Sequence, residues 1–188
     1  YRRQRQMCIR DRDFSSFLLR AQSSGAKVIG LANAGSDTIT SVKQANEFGI
    51  TQGGQRLASL LMFITDVHAI GLRNGQGLVF TDSFYWDMND KTRNWSKRFM
   101  ERHNGRAPTS VQAGVYGAVR HYLKAVAAAG TDESTAVART VKELLVDDFW
   151  SDGFKIRPDG RLVRDMYLFQ VKTPSESKAP WDLSLIHI

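Results

Sequence analysis

Three short apolar runs, each separated from the next by a loop and an amphipathic segment, constrain this chain more than any other feature. The first lies in "KVIGLANAGSDTITSVKQANEFGI", Lys27 to Ile50, which reads as a buried strand, a small-residue turn and a helix with Ile39, Val42, Ala45 and Phe48 on one face. Asp37 can cap that helix, and Gly49 stands just past its end as a stop. "RLASLLMFI" and "GLVFTDSF", Gly77 to Phe84, are the expected second and third strands, with a short helical turn through "DVHAIGL" between them. Upstream, Asp13 can cap a helix carrying Phe14, Phe17, Leu18 and Ala21 at helical spacing. Strands alternating with helices predict an α/β fold on a parallel sheet covered on both faces.

The pattern changes after Tyr85. Asn89 or Asp90 can start a helix with Trp95 and Phe99 inward, and a longer helix is expected from about Thr109 to Ala129, with Val115, Tyr116, Val119, Tyr122, Leu123 and Val126. A third, about Glu133 to Leu145, carries Val137, Val141 and Leu144. No strand separates these helices, so their apolar faces require a partner layer from elsewhere. "FKIRPDGRLVRDMYLFQVK" reads as a β-hairpin turning at Pro158-Asp159-Gly160.

Charge and cysteine narrow the function. The formal charge is +7, but the first twelve residues, "YRRQRQMCIRDR", hold five Arg and one Asp and account for +4 of it. Residues 1–12 and the closing "LSLIHI", 183–188, resemble translated sequencing adapters and are set apart as non-native tails. What remains has an ordinary charge balance and no basic stripe interleaved with aromatics, which argues against a nucleic-acid partner. Cys8 is the only cysteine and lies in the first tail, so disulfides, thiolate metal sites and Cys nucleophiles are not expected.

Catalytic signatures are missing. "GLANAGSD" does not supply the G-x-G-x-x-G of a dinucleotide site, and no G-x-S-x-G nucleophile turn occurs. His68, His103, His121 and His187 have no metal-ligand spacing, and His121 beside Tyr122 reads as packing. No catalytic residue, metal or cofactor is therefore expected.

"DFSSFLLRAQSSGAKVIGLANAGSDTITSVKQANEFGI", "YWDMNDKTRNWSKRF", "AGVYGAVRHYLKAV" and "DGRLVRDMYLFQVK" resemble the branched-chain amino-acid type of periplasmic solute-binding protein, the extracytoplasmic component of an ATP-binding-cassette importer. The likeness runs from Asp13 to about Asp182. It implies the type I periplasmic binding fold, in which two α/β lobes trap a solute between them. Residues 13–84 would belong to the second lobe, 85–150 would be helices packed on an incomplete first lobe, and 151–182 would hold the hairpin and the return to the second. The chain is thus expected to be the back half of a protein about twice as long, with an exposed apolar surface including some of Trp95, Phe99, Tyr116 and Tyr122. A small-molecule solute, an amino acid or analogue, and a membrane permease are the implied partners; a ligand-sensing receptor and an α/β enzyme are the rival readings.

Ligands of open parallel sheets sit beyond the carboxyl ends of the strands. The candidates there are Asn33, Ala34 and Gly35 after the first strand, Thr65 and Asp66 after the second, and Tyr85 and Trp86 after the third. "NAGSD" can be a ligand-approach loop or only a tight turn. The resemblance implies an acidic residue at the end of the second strand to meet a solute ammonium, at Thr65 or Asp66; Asp66 can equally cap the turn that follows. Phe84 to Trp86 can close over a solute or pack internally.

Overall fold

The computed structural model describes residues 13–187; the expectation for residues 1–12 lies outside them. The chain forms α1 (Ser15–Ser23), β1 (Val28–Leu31), α2 (Ser36–Glu47), β2 (Arg56–Ser59), α3 (Ile64–Ile70), α4 (Leu72–Gly75) and β3 (Val79–Asp82). There follow α5 (Asp90–Arg102), α6 (Ser110–Ala129), α7 (Ser134–Glu143), β4 (Leu145–Val146), β5 (Phe154–Lys155), β6 (Tyr167–Val171) and β7 (Ser184–His187). Two compact units result: unit 1 runs to Asp82 and resumes at Tyr167, and unit 2 spans Ser83–Met166.

Unit 1 is a five-stranded sheet in the order β1-β2-β3-β6-β7. Helical crossovers make β1, β2 and β3 parallel, and the long excursion through unit 2 returns β6 antiparallel to β3. Ile29, Leu31, Leu57, Phe80, Phe169 and Val171 of the strands are buried, as are Val42, Ala45, Val67 and Ile70 of the helices. Burying them is the main stabilising term of the unit, at about 1.5–3 kcal/mol per large side chain. Phe80 and Phe169 stack across β3 and β6 with ring centroids 5.3 Å apart. Burial alternates along β1, where Val28 and Gly30 are exposed, so the expected cover on both faces is not found there. Gly49 ends the α2 segment in the left-handed region, φ 67°, its N–H donating to the Asn46 carbonyl at 3.0 Å.

One expectation is corrected. The tight turn at Arg157–Gly160 forms, with the Gly160 N–H donating to the Arg157 carbonyl at 2.8 Å and the Arg157 N–H to the Arg161 carbonyl at 3.0 Å, but beyond that rung its arms pair elsewhere. Phe154–Lys155 pairs with Leu145–Val146, while Tyr167–Val171 pairs with β3, where Phe169 becomes fully buried. The segment between turn and β6 carries Arg161, Arg164 and Asp165 with exposed Val163 and Met166, and it lacks the apolar alternation that would carry a hairpin ladder. Residues 184–187, set apart as tail, add β7 antiparallel to β6. The approach to β7 is held by Trp181 stacked on His68 at 4.3 Å and by an ion pair between Lys172 and Asp182.

Unit 2 shows how caps set helix limits. Asn89 and Thr92 exchange reciprocal bonds of 3.0 Å at the start of α5. Thr109 accepts from the Val111 N–H at the start of α6, whose end is Gly130 at φ 65°. The Glu133 carboxylate accepts from the N–H groups of Thr135 and Ala136 at 2.9 and 2.8 Å. Phe84, Trp95 and Ala113 form the core with Phe149, Trp150 and Phe99 around them; Trp95 lies flat on Phe149 at 4.1 Å. His121 is buried and its Nε2 lies 2.9 Å from the Val141 carbonyl oxygen, a packing role.

The outer face of α6 is apolar and uncovered. Val111, Val115, Val119, Tyr122 and Leu123 are exposed, and an open groove of about 870 Å³ runs along Val111, Val115, Val119 and Leu123 to Tyr116 and Phe99. Of the four aromatics expected there, Trp95 is buried, Phe99 half-buried, and Tyr116 and Tyr122 exposed.

Burial pushes the Asp182 carboxyl up, but bonds from the Lys172 ammonium and the Lys178 N–H outweigh it and hold it below the usual carboxylate range. A carboxyl depressed on folding stabilises at pH values above its unfolded pKa and loses that contribution as pH falls through its folded one. Asp182→Asn is therefore expected to lower stability by about 1 kcal/mol at pH 7 in denaturant titrations, with the difference from wild type closing below about pH 4. A difference independent of pH would contradict the ion-pair assignment. For the exposed face, the double substitution Val115→Lys and Val119→Lys should suppress binding of an apolar fluorescent dye without lowering the melting temperature; unchanged dye binding would contradict it.

Candidate functional site

Parallel pairing brings the carboxyl ends of β1, β2 and β3 to one edge of unit 1, with Leu31 opposite Ser59 in register. Beyond β1 the loop Ala32–Gly35 turns into α2. Gly35 has φ 57° and ψ −128°, a conformation that strains any residue with a Cβ. Helix α2 starts at Ser36 without a side-chain cap, so Asp37 sits in its first turn, not at the cap position expected of it. Asn33 secures the loop: its Nδ2 donates to Ser41 Oγ at 2.8 Å, and its Oδ1 accepts from Thr38 Oγ1 at 3.0 Å. Both ends of the carboxamide thus pin the loop to α2, and Ala34 is left exposed.

The second strand ends earlier than its sequence suggests, at Ser59. Its pairing closes with the Leu60 N–H donating to the Leu31 carbonyl at 3.0 Å, and Ser59 Oγ donates to the Leu61 carbonyl at 3.2 Å. Thr65 and Asp66 therefore do not stand at a strand end. They lie in the first turn of α3, where Asp66, nearly buried, accepts the Phe63 N–H on Oδ2 at 3.0 Å. An unbroken apolar run cannot by itself separate strand from turn; an acid three residues after Phe63 was the available sign that a helix starts there. The side chains actually following β2 are Leu60 and Leu61, 66% and 50% exposed. Sequence reading missed them by continuing the strand.

The third strand also ends early, at Asp82, which is buried and engaged in an interaction of its own. Phe84 belongs to the aromatic core of unit 2, 5.1 Å from Trp150, whose Nε1 donates to the Ser83 carbonyl at 3.0 Å. Tyr85 is buried in that unit, and its ring lies 6.1 Å from the half-buried Trp86.

A cavity of about 300 Å³ in unit 1 opens on the opposite edge, at Arg56, Leu57, Leu78 and Val79. Three of its polar side chains bond backbone carbonyls, Gln55 to Ala26 at 2.7 Å, Asn74 to Ile70 and Gln76 to Arg73 at 3.2 Å, and Thr51, Arg56 and Gln170 line it as well. Among the described residues no group of three His, Cys, Asp or Glu could hold a metal ion, and no helix is long and apolar enough to cross a membrane.

A family model described as periplasmic binding protein matches residues 4–178. A periplasmic binding protein from Burkholderia mallei is 51% identical over 94% of this chain and 46% of its own, with a TM-score of 0.85. A branched chain amino acid ABC transporter periplasmic ligand-binding protein from Burkholderia xenovorans LB400 is 41% identical over 96% of this chain and 48% of its own, with a TM-score of 0.84. A solute binding protein of an ABC transporter from R. palustris, solved in complex with benzoate, is 17% identical over 95% of this chain and 47% of its own and shares the fold, with a TM-score of 0.78. A search of the curated proteins finds no match. The chain belongs to the periplasmic binding protein family and has its type I fold. It spans about half the length of these solved relatives.

If Asp66 is a helix-start acceptor, Asp66→Ala should lower stability by about 1 kcal/mol in a denaturant titration of the full reading frame. Unchanged stability would contradict that role and return its carboxylate to candidacy as a ligand group.

Proposed function

We propose that this chain is part of the solute-binding component of an ATP-binding-cassette importer, working outside the cytoplasm and handing a small solute to a membrane permease. The observation that carries the reading is the carboxyl edge of unit 1. There a small-residue loop, pinned through Asn33 and turned by Gly35, leaves backbone and Ala34 open to a ligand. Membership of a family of binding proteins supports the same reading, as does the 41% identical relative described as a branched chain amino acid ABC transporter periplasmic ligand-binding protein. Asn33, Ala34 and Gly35 are the proposed contacts; Thr65 and Asp66 act through the fold of α3. The solute is released unchanged.

Thermal unfolding of the full reading frame against a panel of amino acids, their des-amino acids, aromatic acids and their amides tests this. A true solute at a hundred times its Kd stabilises by about 2.7 kcal/mol and raises the melting temperature accordingly. Mass spectrometry of the recovered solute should show no conversion. A panel without any stabilising member, or a converted solute, would contradict the proposal.

A further inference from the structure

We infer that the solute taken at the carboxyl edge of unit 1 has an apolar body and carries no ammonium group; the inference rests on the solute-binding reading above and names its ligand class. The exposed side chains beyond β1 and β2 are Ala32 and Ala34 on one loop and Leu60 and Leu61 on the next, none of them charged; half-buried Asn33, between the alanines, is bonded to Thr38 and Ser41. The two loops are held side by side, because the Leu60 N–H donates to the Leu31 carbonyl at 3.0 Å. Both loops thus present aliphatic side chains at the same edge of the sheet.

An ammonium pressed against Leu60 and Leu61 would lose water against an apolar wall and meet only the neutral carbonyls of the loop, a penalty for an ion without a charged partner. The carboxylates nearby in sequence are otherwise placed. Asp66 is nearly buried and accepts the Phe63 N–H, and Asp82 is buried and engaged elsewhere. Asp37 lies in the first turn of α2, where a negative charge offsets the positive end of the helix. A methyl, branched or aromatic group meets Leu60 and Leu61 without such a penalty and shields them from water.

Pairs of solutes that differ only in the ammonium test this by titration calorimetry on the full reading frame: 4-methylpentanoate against leucine, and 3-phenylpropanoate against phenylalanine. At least one des-amino acid is expected to bind about tenfold or more tighter than its amino acid, a difference of about 1.4 kcal/mol. Leu60→Asp should cut that affinity about tenfold or more and narrow the preference, while the exposed position leaves the solute-free melting temperature unchanged. Asp37→Asn should leave the preference as it was. An amino acid that binds as tightly as its des-amino partner would overturn the inference and leave the solute-binding reading standing. Unchanged affinity in Leu60→Asp, or a preference that follows Asp37, would also overturn it. If neither these pairs nor any other member of the solute panel binds, both fall.

Discussion

The bond from the Leu60 N–H to the Leu31 carbonyl closes the pairing of two parallel strands, and the candidate site depends on it. Parallel strands joined by helical crossovers end on the same edge of a sheet, so a loop from each is delivered to one surface without a long excursion. The β1–β2 register, Val28 opposite Arg56 through Leu31 opposite Ser59, decides which residues follow the last rung. A one-residue slip would exchange buried Leu57 and Ser59 with their exposed or half-buried neighbours, so the core enforces the register that places the loops. Asn33 then converts a flexible turn into a fixed one. Its two bonds reach Thr38 and Ser41, both buried in α2, so the loop moves only if the helix does.

Unit 2 is organised by aromatic packing. Phe84, Trp95, Phe149 and Trp150 interlock within 4.1 to 6.2 Å of one another at the pairs that touch, and they gather residues from the start, middle and end of the unit. Inside this cluster Phe84 is a core residue. Arg164 lies over Trp150 with its guanidinium carbon 3.9 Å from the ring centroid, a cation–π contact on a half-buried side chain. Helix α6 uses Ala113, Gly117, His121 and Ala125 for the buried side and leaves its larger apolar residues outward. That inverts the usual distribution on an amphipathic helix and fits the half-length match to the solved relatives.

Periodicity and caps made most elements legible. The limits of α5 and α6 follow from Asn89, Thr109 and Gly130, residue types that favour those positions, while α7 starts at Glu133, a less usual cap whose carboxylate accepts two N–H groups. Strand ends were harder to read. In "RLASLLMFI" every residue after Ser59 is apolar, so the run continues past the rung where pairing stops; that point is set by the length of β1 beside it. Continuing the strand put Thr65 and Asp66 at its end, where the structure has Leu60 and Leu61. The apparent hairpin failed for a related reason: a turn is a local property, whereas the partner of Tyr167–Val171 is chosen by burial of Phe169 against Phe80. Residues 184–187 form a strand only because β6 offers them a free edge.

Hydrogen exchange on the full reading frame, with and without a saturating solute from the panel, tests most directly that the carboxyl edge of unit 1 receives the ligand. The account predicts added protection at the amides of residues 32–38 and 60–63, with those lining the opposite cavity, residues 55–57 and 75–79, unchanged. Protection confined to residues 55–57 and 75–79, or to neither edge, would contradict it.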